Sequence, residues 1–305
     1  MHLVAGEALD KLSDLVTKGF TGIGMKLHEI QESNPKGIET RHLTPSTASQ
    51  NEQTTTGLLR ALGLNTAPLQ PAPPKYTKTG EGSKWTFKFK WPRDTDGDGD
   101  VGENDRTLEK VSYRHVVQFL QGLGQCAYCV ADGDRLTGSD KNLFKTDIYT
   151  LRPKDPTIHG QPVHRIHTVS GRTDVVVLTR DYMAEGHTTI QPMMVKLLIE
   201  IKTAEAMKKS SSGKPCRREA AIQLVGINAA NYWRSPPVIM SNLANVHYVL
   251  YLVRVEGVAH EYNIIDQECD SFSSAVHFAL SISDRDCVTA DFSRRPTPPP
   301  GHDED

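Results

Sequence analysis

The segment VKLLIEIKTAE, residues 195–205, reads as a strand buried on both faces, yet Glu200 and Lys202 interrupt its run of Val, Leu and Ile. Side chains alternate along a strand, so Glu200 and Lys202 share one face while Ile199 and Ile201 take the other. Either charge alone in a core would cost several kcal/mol, so such a pair persists only if the charges satisfy each other, bind a metal or line a wet cleft. A structural salt bridge and a chemical site both fit this stretch. Two further residues stand at elements that could bring them to the pair. Asp174 opens the apolar run DVVVL, and Gln223 lies in AAIQLVG, where Ala220, Leu224 and Ile227 with Ala221 and Val225 mark one helical face.

A second cluster of oxygen ligands is DTDGDGDVGEND, residues 94–105. Asp94, Asp96 and Asp98 stand at loop positions one, three and five, Gly99 at the turn, Asp100 beside it, Val101 at eight and Asp105 at twelve. The spacing resembles an EF-hand loop and, with Asp rather than Glu at the end, the calcium loop of dockerin-like modules. It predicts Ca²⁺ binding at 94–105, against the plainer reading of an acidic surface turn. CAYC, residues 126–129, has CxxC spacing, but no second CxxC or His pair completes a zinc site, so its cysteines read as structural. The twelve histidines are scattered and single out no catalytic imidazole. The stretch EAMKKSSSGKPCRR, residues 205–218, sets Lys208, Lys209, Lys214, Arg217 and Arg218 against one acid, a candidate grip on nucleic-acid phosphates or else a solvated charged loop.

The elements that must position these groups follow from periodicity. HRIHTVSGRTDVVVLTRDY reads as two strands joined by the turn SGRT, VHYVLYLVRVEGVAHEYNIID as a pair of strands around Glu256 and Gly257, and SFSSAVHFALSI as a closing helix. Upstream, Leu3, Leu9, Leu12, Leu15, Val16 and Phe20 are spaced as one or two amphipathic helices. Residues from Glu32 to Ser83, rich in Ser, Thr, Asn, Pro and Gly, read as linker or loop around one short helical piece, TTGLLRALGL. KWTFKFKW, residues 84–91, alternates Trp85, Phe87, Phe89 and Trp91 with polar partners as a half-buried strand should. The 305 residues, 37% hydrophobic and 24% charged, suffice for one sizeable core. The start carries acids where a signal peptide carries bases, no window approaches the roughly 18 apolar residues of a membrane span, and five cysteines are an odd count. An intracellular protein, nuclear or cytoplasmic and without a membrane, is expected. A net charge of −2 argues against coating nucleic acid by bulk charge.

An Asp at the start of one core strand, Glu-x-Lys in the next and a Gln on the following helix resemble the PD-(D/E)XK nuclease superfamily. Gly171 and Asp174 in GRTD, Glu200 and Lys202 in IEIK, and Gln223 carry the resemblance, which covers about residues 160–285. The hairpin LYLVRVEGVAHEYNII is similar to that of the nuclease domains of Crinkler-type effectors. Thr173 stands where the family's motif has proline. The resemblance implies Mg²⁺ or Mn²⁺ held by Asp174, Glu200 and the Ile201 carbonyl, with Lys202 facing the attacking water and Gln223 positioning the water or Lys202. An early-helix Glu often completes such sites, and Glu29, Glu32 and Glu109 are all candidates. It implies an α/β fold with a restriction-endonuclease-like mixed central sheet flanked by helices and a helical N-terminal segment. The expected division is 1–75 (helical segment and linker), 76–112 (strand and acidic loop), 113–292 (nuclease-like core) and a disordered tail, 293–305, whose prolines and acids join no sheet. The expected partner is nucleic acid, DNA before RNA, with the oligomeric state open. Two alternatives stand beside the nuclease: a catalytically inactive binding module of the same fold, and a calcium-responsive interaction protein.

Overall fold

The strand around Glu200 sits at the middle of the molecule's largest sheet. The structure is a computed structural model describing residues 38–62, 64, 86–90, 101–131, 142–152, 163–208, 214–231, 234–254 and 262–285. The elements in chain order are β1 (Ile38–Leu43), α1 (Pro45–Gln50), α2 (Glu52–Ala61), α3 (Val101–Gly122), β2 (Cys126–Cys129), β3 (Phe144–Arg152), β4 (Val163–Gly171) and β5 (Val175–Leu178). They continue with β6 (Val195–Ile201), α4 (Ala204–Lys208), α5 (Lys214–Ala230), β7 (Val238–Ser241), β8 (His247–Arg254), β9 (Tyr262–Glu268) and α6 (Phe272–Arg285). The chain forms two compact units, Met1–Thr40 with Leu151–Ile166, and Arg41–Thr150 with His167–Asp305. In the first, the described residues are strand ends at 38–40, 151–152 and 163–166. The groups considered below belong to the second.

A mixed α/β architecture is present. Six strands run in the order β2-β5-β6-β7-β8-β9, and three more form a separate sheet, β1-β4-β3. Strand β6 pairs antiparallel with β5 and parallel with β7. Parallel neighbours require a crossover, and α5 supplies it. Because β6 has helices over both faces, it is apolar on both. Val176, Leu198, Val238 and Leu250 face one core with Ala220, Leu224 and Ile227 of α5, whereas Val175, Leu197, Ile199, Ile201 and Val249 face another with Val116 and Leu120 of α3 and Phe272 and Val276 of α6. Ile199 and Ile201 therefore go to the α3 and α6 side, as their alternation requires, leaving Glu200 and Lys202 to the side of α5.

Several expectations change. The stretch read as linker around the helical piece TTGLLRALGL contains that helix as α2 and, beyond the expectation, β1 and α1, and Leu43, Ala48, Leu58, Leu59 and Leu64 are core residues. Three of its described polar residues, Thr44, Thr47 and Asn51, cap helices. Thr44 Oγ1 accepts the Thr47 amide at 3.2 Å and Thr47 Oγ1 accepts the Thr44 amide at 2.9 Å, with Pro45 in the first turn, while Asn51 Oδ1 accepts the Thr54 amide at 3.0 Å to begin α2. Strands β4 and β5, read as joined by a turn, lie in different sheets, so SGRT is a passage between sheets. Residues 86–90 alternate as expected but join no strand ladder. Phe87 and Phe89 are half-buried, the Phe87 ring lies 5.1 Å from Phe119 and 4.7 Å from Phe272, and its amide donates to Ser273 Oγ at 2.8 Å. Trp85 and Trp91 lie outside the described residues, as do the segment 1–37 and the tail 293–305.

The CxxC residues occupy β2, where positions i and i+3 project from opposite faces. Cys126 packs against one core and Cys129 against the other, so they do not converge on one metal. Among the described residues, no helix is long and apolar enough to cross a membrane.

At the β7–β8 turn, Ser241 Oγ lies 2.8 Å from His247 Nδ1 and accepts the Leu243 amide at 2.8 Å, while Leu243 takes φ 58°. Both Ser241 and His247 are buried, so this pair is a turn fastener rather than an accessible nucleophile and base. Burial holds His247 down to about 4 against an ordinary 6.5, with a backbone hydrogen bond at Ala244 pulling the other way. The unfolded chain thus binds the proton first, and the contribution of His247 to stability is present above its ordinary value and declines as pH falls from 6.5 toward about 4. Proton NMR should find the His247 ring titrating near pH 4; a midpoint near 6.5 would mean that water reaches the ring.

Candidate active site

The β5–β6 register brings the two acids together. Val175 pairs with Ile199, and one further step along the antiparallel ladder carries Asp174 to Glu200. Asp174 Oδ2 accepts the Ile201 amide at 2.7 Å, tying the carboxylate to the end of β6. The Thr173 hydroxyl donates to the Ile199 carbonyl at 2.8 Å and lies 3.4 Å from Glu200 Oε2, so the residue before Asp174 stitches the same two strands.

Glu200 is 6% exposed, and both of its oxygens are engaged. Oε1 is 2.7 Å from Lys202 Nζ, and Oε2 accepts Gln223 Nε2 at 2.6 Å. Gln223, 1% exposed on α5, also donates to the Arg172 carbonyl at 3.2 Å, while its Oε1 has no hydrogen-bond partner among the described residues. Glu200, Lys202 and Gln223 are thus one connected group, with Asp174 bound beside it to the Ile201 amide. A residue the sequence reading did not single out completes it: Glu219 Oε2 lies 3.2 Å from Lys202 Nζ. Its signal was available, because Glu219 precedes Gln223 by one helical turn and shares its face.

Burial works against the Lys202 ammonium, but the nearby charges of Glu200, then Glu219, then Asp174, outweigh it and hold the group well above the ordinary lysine range. Burial first, and Glu200 second, push Glu219 above the ordinary glutamate range, with Lys202 pulling it back. The surrounding carboxylates thus favour the charged form of Lys202.

A cavity of about 420 Å³ opens onto this group. Asp174, Glu200 and Glu219 are its acidic lining residues, and Arg172, Asn142 and Ser46 are among the other polar groups that line it. Gly171 contributes to the rim for a steric reason, since a Cβ there would stand 2.7 Å from Pro45 Cδ and 2.9 Å from Phe144 Cζ.

The basic residues of 205–218 divide. Arg217 Nη1 lies 3.1 Å from Asp266 Oδ2, with its guanidinium 4.1 Å from the Tyr248 ring centroid. Burial pushes Asp266 up to about 6, with Arg217 opposing. Arg218 pairs with Glu52 at 3.2 Å and donates to the Ser49 carbonyl at 2.9 Å. Both arginines fasten α5 to its neighbours. Lys209 lies outside the described residues, and Lys208 and Lys214 are described only as helix backbone. Of the acidic loop, Asp94–Asp100 lie outside the described residues, and its last five positions, Val101 to Asp105, belong to α3. Glu29 and Glu32 lie outside the described residues, and Glu109 is described only as backbone.

Among the described residues, no group of three or more His, Cys, Asp or Glu side chains is arranged to hold a metal ion. Mg²⁺ is content with one or two carboxylates plus waters, and the two acids Asp174 and Glu200 beside a polar cavity are a hard-oxygen donor set of that kind. Neither a known family model nor a curated protein matches the chain.

Proposed function

We propose that the chain is a metal-dependent nuclease with a restriction-endonuclease-like core, hydrolysing phosphodiester bonds in nucleic acid, DNA first. The observation that carries this reading is the sharing of one cavity by Asp174 and Glu200, from adjacent antiparallel strands, with Lys202 Nζ held 2.7 Å from Glu200. Further support comes from the order of elements: a strand preceded by Asp174, a strand that carries Glu200 and is followed at once by Lys202, a crossover helix bearing Gln223, and a parallel strand.

Asp174 and Glu200 would hold Mg²⁺ or Mn²⁺, with the Ile201 carbonyl as a third donor. When bound, such an ion polarises a phosphoryl oxygen and lowers the pKa of an attacking water. Lys202, its ammonium held 2.7 Å from Glu200, stabilises the charge that grows on the phosphate. Gln223 fixes the direction of the Glu200 carboxylate through Oε2. Contact with the nucleic-acid backbone is assigned to Lys208, Lys209 and Lys214, because Arg217 and Arg218 are committed to the fold.

The test is cleavage of supercoiled plasmid, single-stranded DNA and RNA in Mg²⁺ and in Mn²⁺, with EDTA as control. Wild type should cut at least one substrate only with metal. Asp174→Ala should lose both cleavage and calorimetric metal binding at this site. Wild-type protein that cuts none of the three would overturn the nuclease and leave an inactive module of the same architecture.

A further inference from the structure

The geometry assigns Glu219 as the positioning residue for Lys202, an assignment that rests on the nuclease reading and extends it to a residue outside the Asp, Glu-x-Lys and Gln pattern. Lys202 follows the last residue of β6, and its ammonium ends a flexible four-carbon chain. A single partner on its own strand, Glu200, would leave that ammonium free to swing about one contact. The structure gives it two partners from two elements: Glu200 Oε1 at 2.7 Å from the strand and Glu219 Oε2 at 3.2 Å from α5. Two fixed acceptors in different directions define a point. Helix α5 therefore acts on the site twice from one face, with Gln223 aiming Glu200 and, one turn earlier, Glu219 aiming Lys202.

Glu219 also borders the cavity, so two other roles compete with this one. As a metal ligand it would need its negative charge. As a purely structural ion pair it would matter for folding and leave turnover alone. A positioning role needs only an acceptor oxygen at the right place, which a glutamine also provides.

The experiment compares wild type with Glu219→Ala, Glu219→Gln and Lys202→Ala in steady-state cleavage with Mg²⁺, at a temperature where all remain folded. Calorimetric Mg²⁺ binding and the side-chain ammonium ¹H–¹⁵N NMR signal of Lys202 are measured alongside. Glu219→Ala should lower kcat by about 10–100-fold, as loss of a supporting residue typically does, with KM and Mg²⁺ affinity unchanged. Glu219→Gln should recover most of that loss. Adding Glu219→Ala to Lys202→Ala should change kcat no further, because the second residue acts through the first. The Lys202 ammonium signal, protected in wild type by its two partners, should broaden in Glu219→Ala and persist in Glu219→Gln. A fall in Mg²⁺ affinity that glutamine does not repair would make Glu219 a ligand and overturn the assignment, as would wild-type kcat in Glu219→Ala. If wild type itself cuts nothing, the nuclease reading falls and the assignment with it; if wild type cuts and only the Glu219 results fail, the assignment falls alone.

Discussion

Glu200→Ala is expected to abolish metal-dependent cleavage and, in the same protein, to lower the free energy of unfolding by about 2–4 kcal/mol. Taken from the sequence, a structural ion pair and a catalytic carboxylate are opposed readings of this residue, and a wet metal site would lose little stability with a carboxylate. The proposed catalytic role and the ion pair are compatible in this geometry. Glu200 is almost fully buried, and its two oxygens hold Lys202 at 2.7 Å and Gln223 at 2.6 Å. Breaking a buried pair typically costs roughly 3–5 kcal/mol because the surviving charge is stranded. Here the stranded ammonium keeps Glu219 at 3.2 Å, which places the loss below the top of that range. Glu200→Gln separates the two functions. Its carbonyl still accepts from Lys202, and its new amide can donate to Gln223 Oε1 once the Gln223 amide turns over, which gives up the Gln223 hydrogen bond to the Arg172 carbonyl. Stability should return to within about 1 kcal/mol of wild type, the net scale of one hydrogen bond, while cleavage stays absent for want of the negative charge. Cleavage at the wild-type rate by Glu200→Gln would show that no metal depends on this carboxylate. A Glu200→Ala protein as stable as wild type in urea would show that the network contributes nothing to the fold.

The parts of the molecule that were legible in the sequence are those where one physical signal dominates. Strand β6, helix α5 and the β8–β9 pair carry long apolar runs or clear periodicity, and the alternation of Ile199, Glu200, Ile201 and Lys202 fixes which way each points. What escaped has local signals with two meanings. Thr44, Pro45, Thr47 and Asn51 have the composition of a linker and the chemistry of helix caps, and only the packing of Ala48, Leu58 and Leu59 decides between them. Strand β7 is four buried residues after Pro236 and Pro237, too short to display a period, although it is the parallel neighbour of β6. Nothing in SGRT tells whether the strands on either side share a sheet, because periodicity describes faces and not partners.

At the site the same limit applies. Asp174, Glu200, Lys202 and Gln223 stand out by being polar within apolar runs; Asp174 and Glu200 line one cavity, and Lys202 and Gln223 bind Glu200 behind it. Glu219 follows the basic run Arg217 and Arg218, so it reads as the acid of a solvated helix start until α5 is docked over β6. The two arginines mislead in the opposite sense, since a charge cluster beside Ser and Gly suggests an exposed loop, yet Asp266, Tyr248, Glu52 and Ser49 take up both guanidinium groups.

Docking of α5 is itself the subject of the second large effect: Gly226→Ala should destabilise the protein toward the upper end of the roughly 1–3 kcal/mol range for core overpacking, and should reduce cleavage by the protein that remains folded. On helix propensity alone the substitution would help by about 0.5–1 kcal/mol. Packing decides otherwise. A Cβ at Gly226 would stand 2.2 Å from Cε2 and 2.5 Å from Cδ2 of Phe144, distances no real pair of carbons keeps, so either the ring or the helix must move. The ring has little room, being 1% exposed and bounded on another side by Gly171, where an added Cβ would lie 2.9 Å from Phe144 Cζ. The helix is then the part that shifts, and it carries Gln223 and Glu219 one and two turns before Gly226, while Gly171 and Pro45 on the far side of Phe144 belong to the cavity wall. A methyl group placed away from every acid should therefore lengthen the contacts of Lys202 and Glu200 with α5. Pairing Gly226→Ala with Phe144→Leu, which withdraws the ring edge, should restore both the urea midpoint and cleavage further than the sum of the two single changes allows, the mark of residues in direct contact. If Gly226→Ala melts above wild type, the helix preference has prevailed and Phe144 does not set how closely α5 approaches the site.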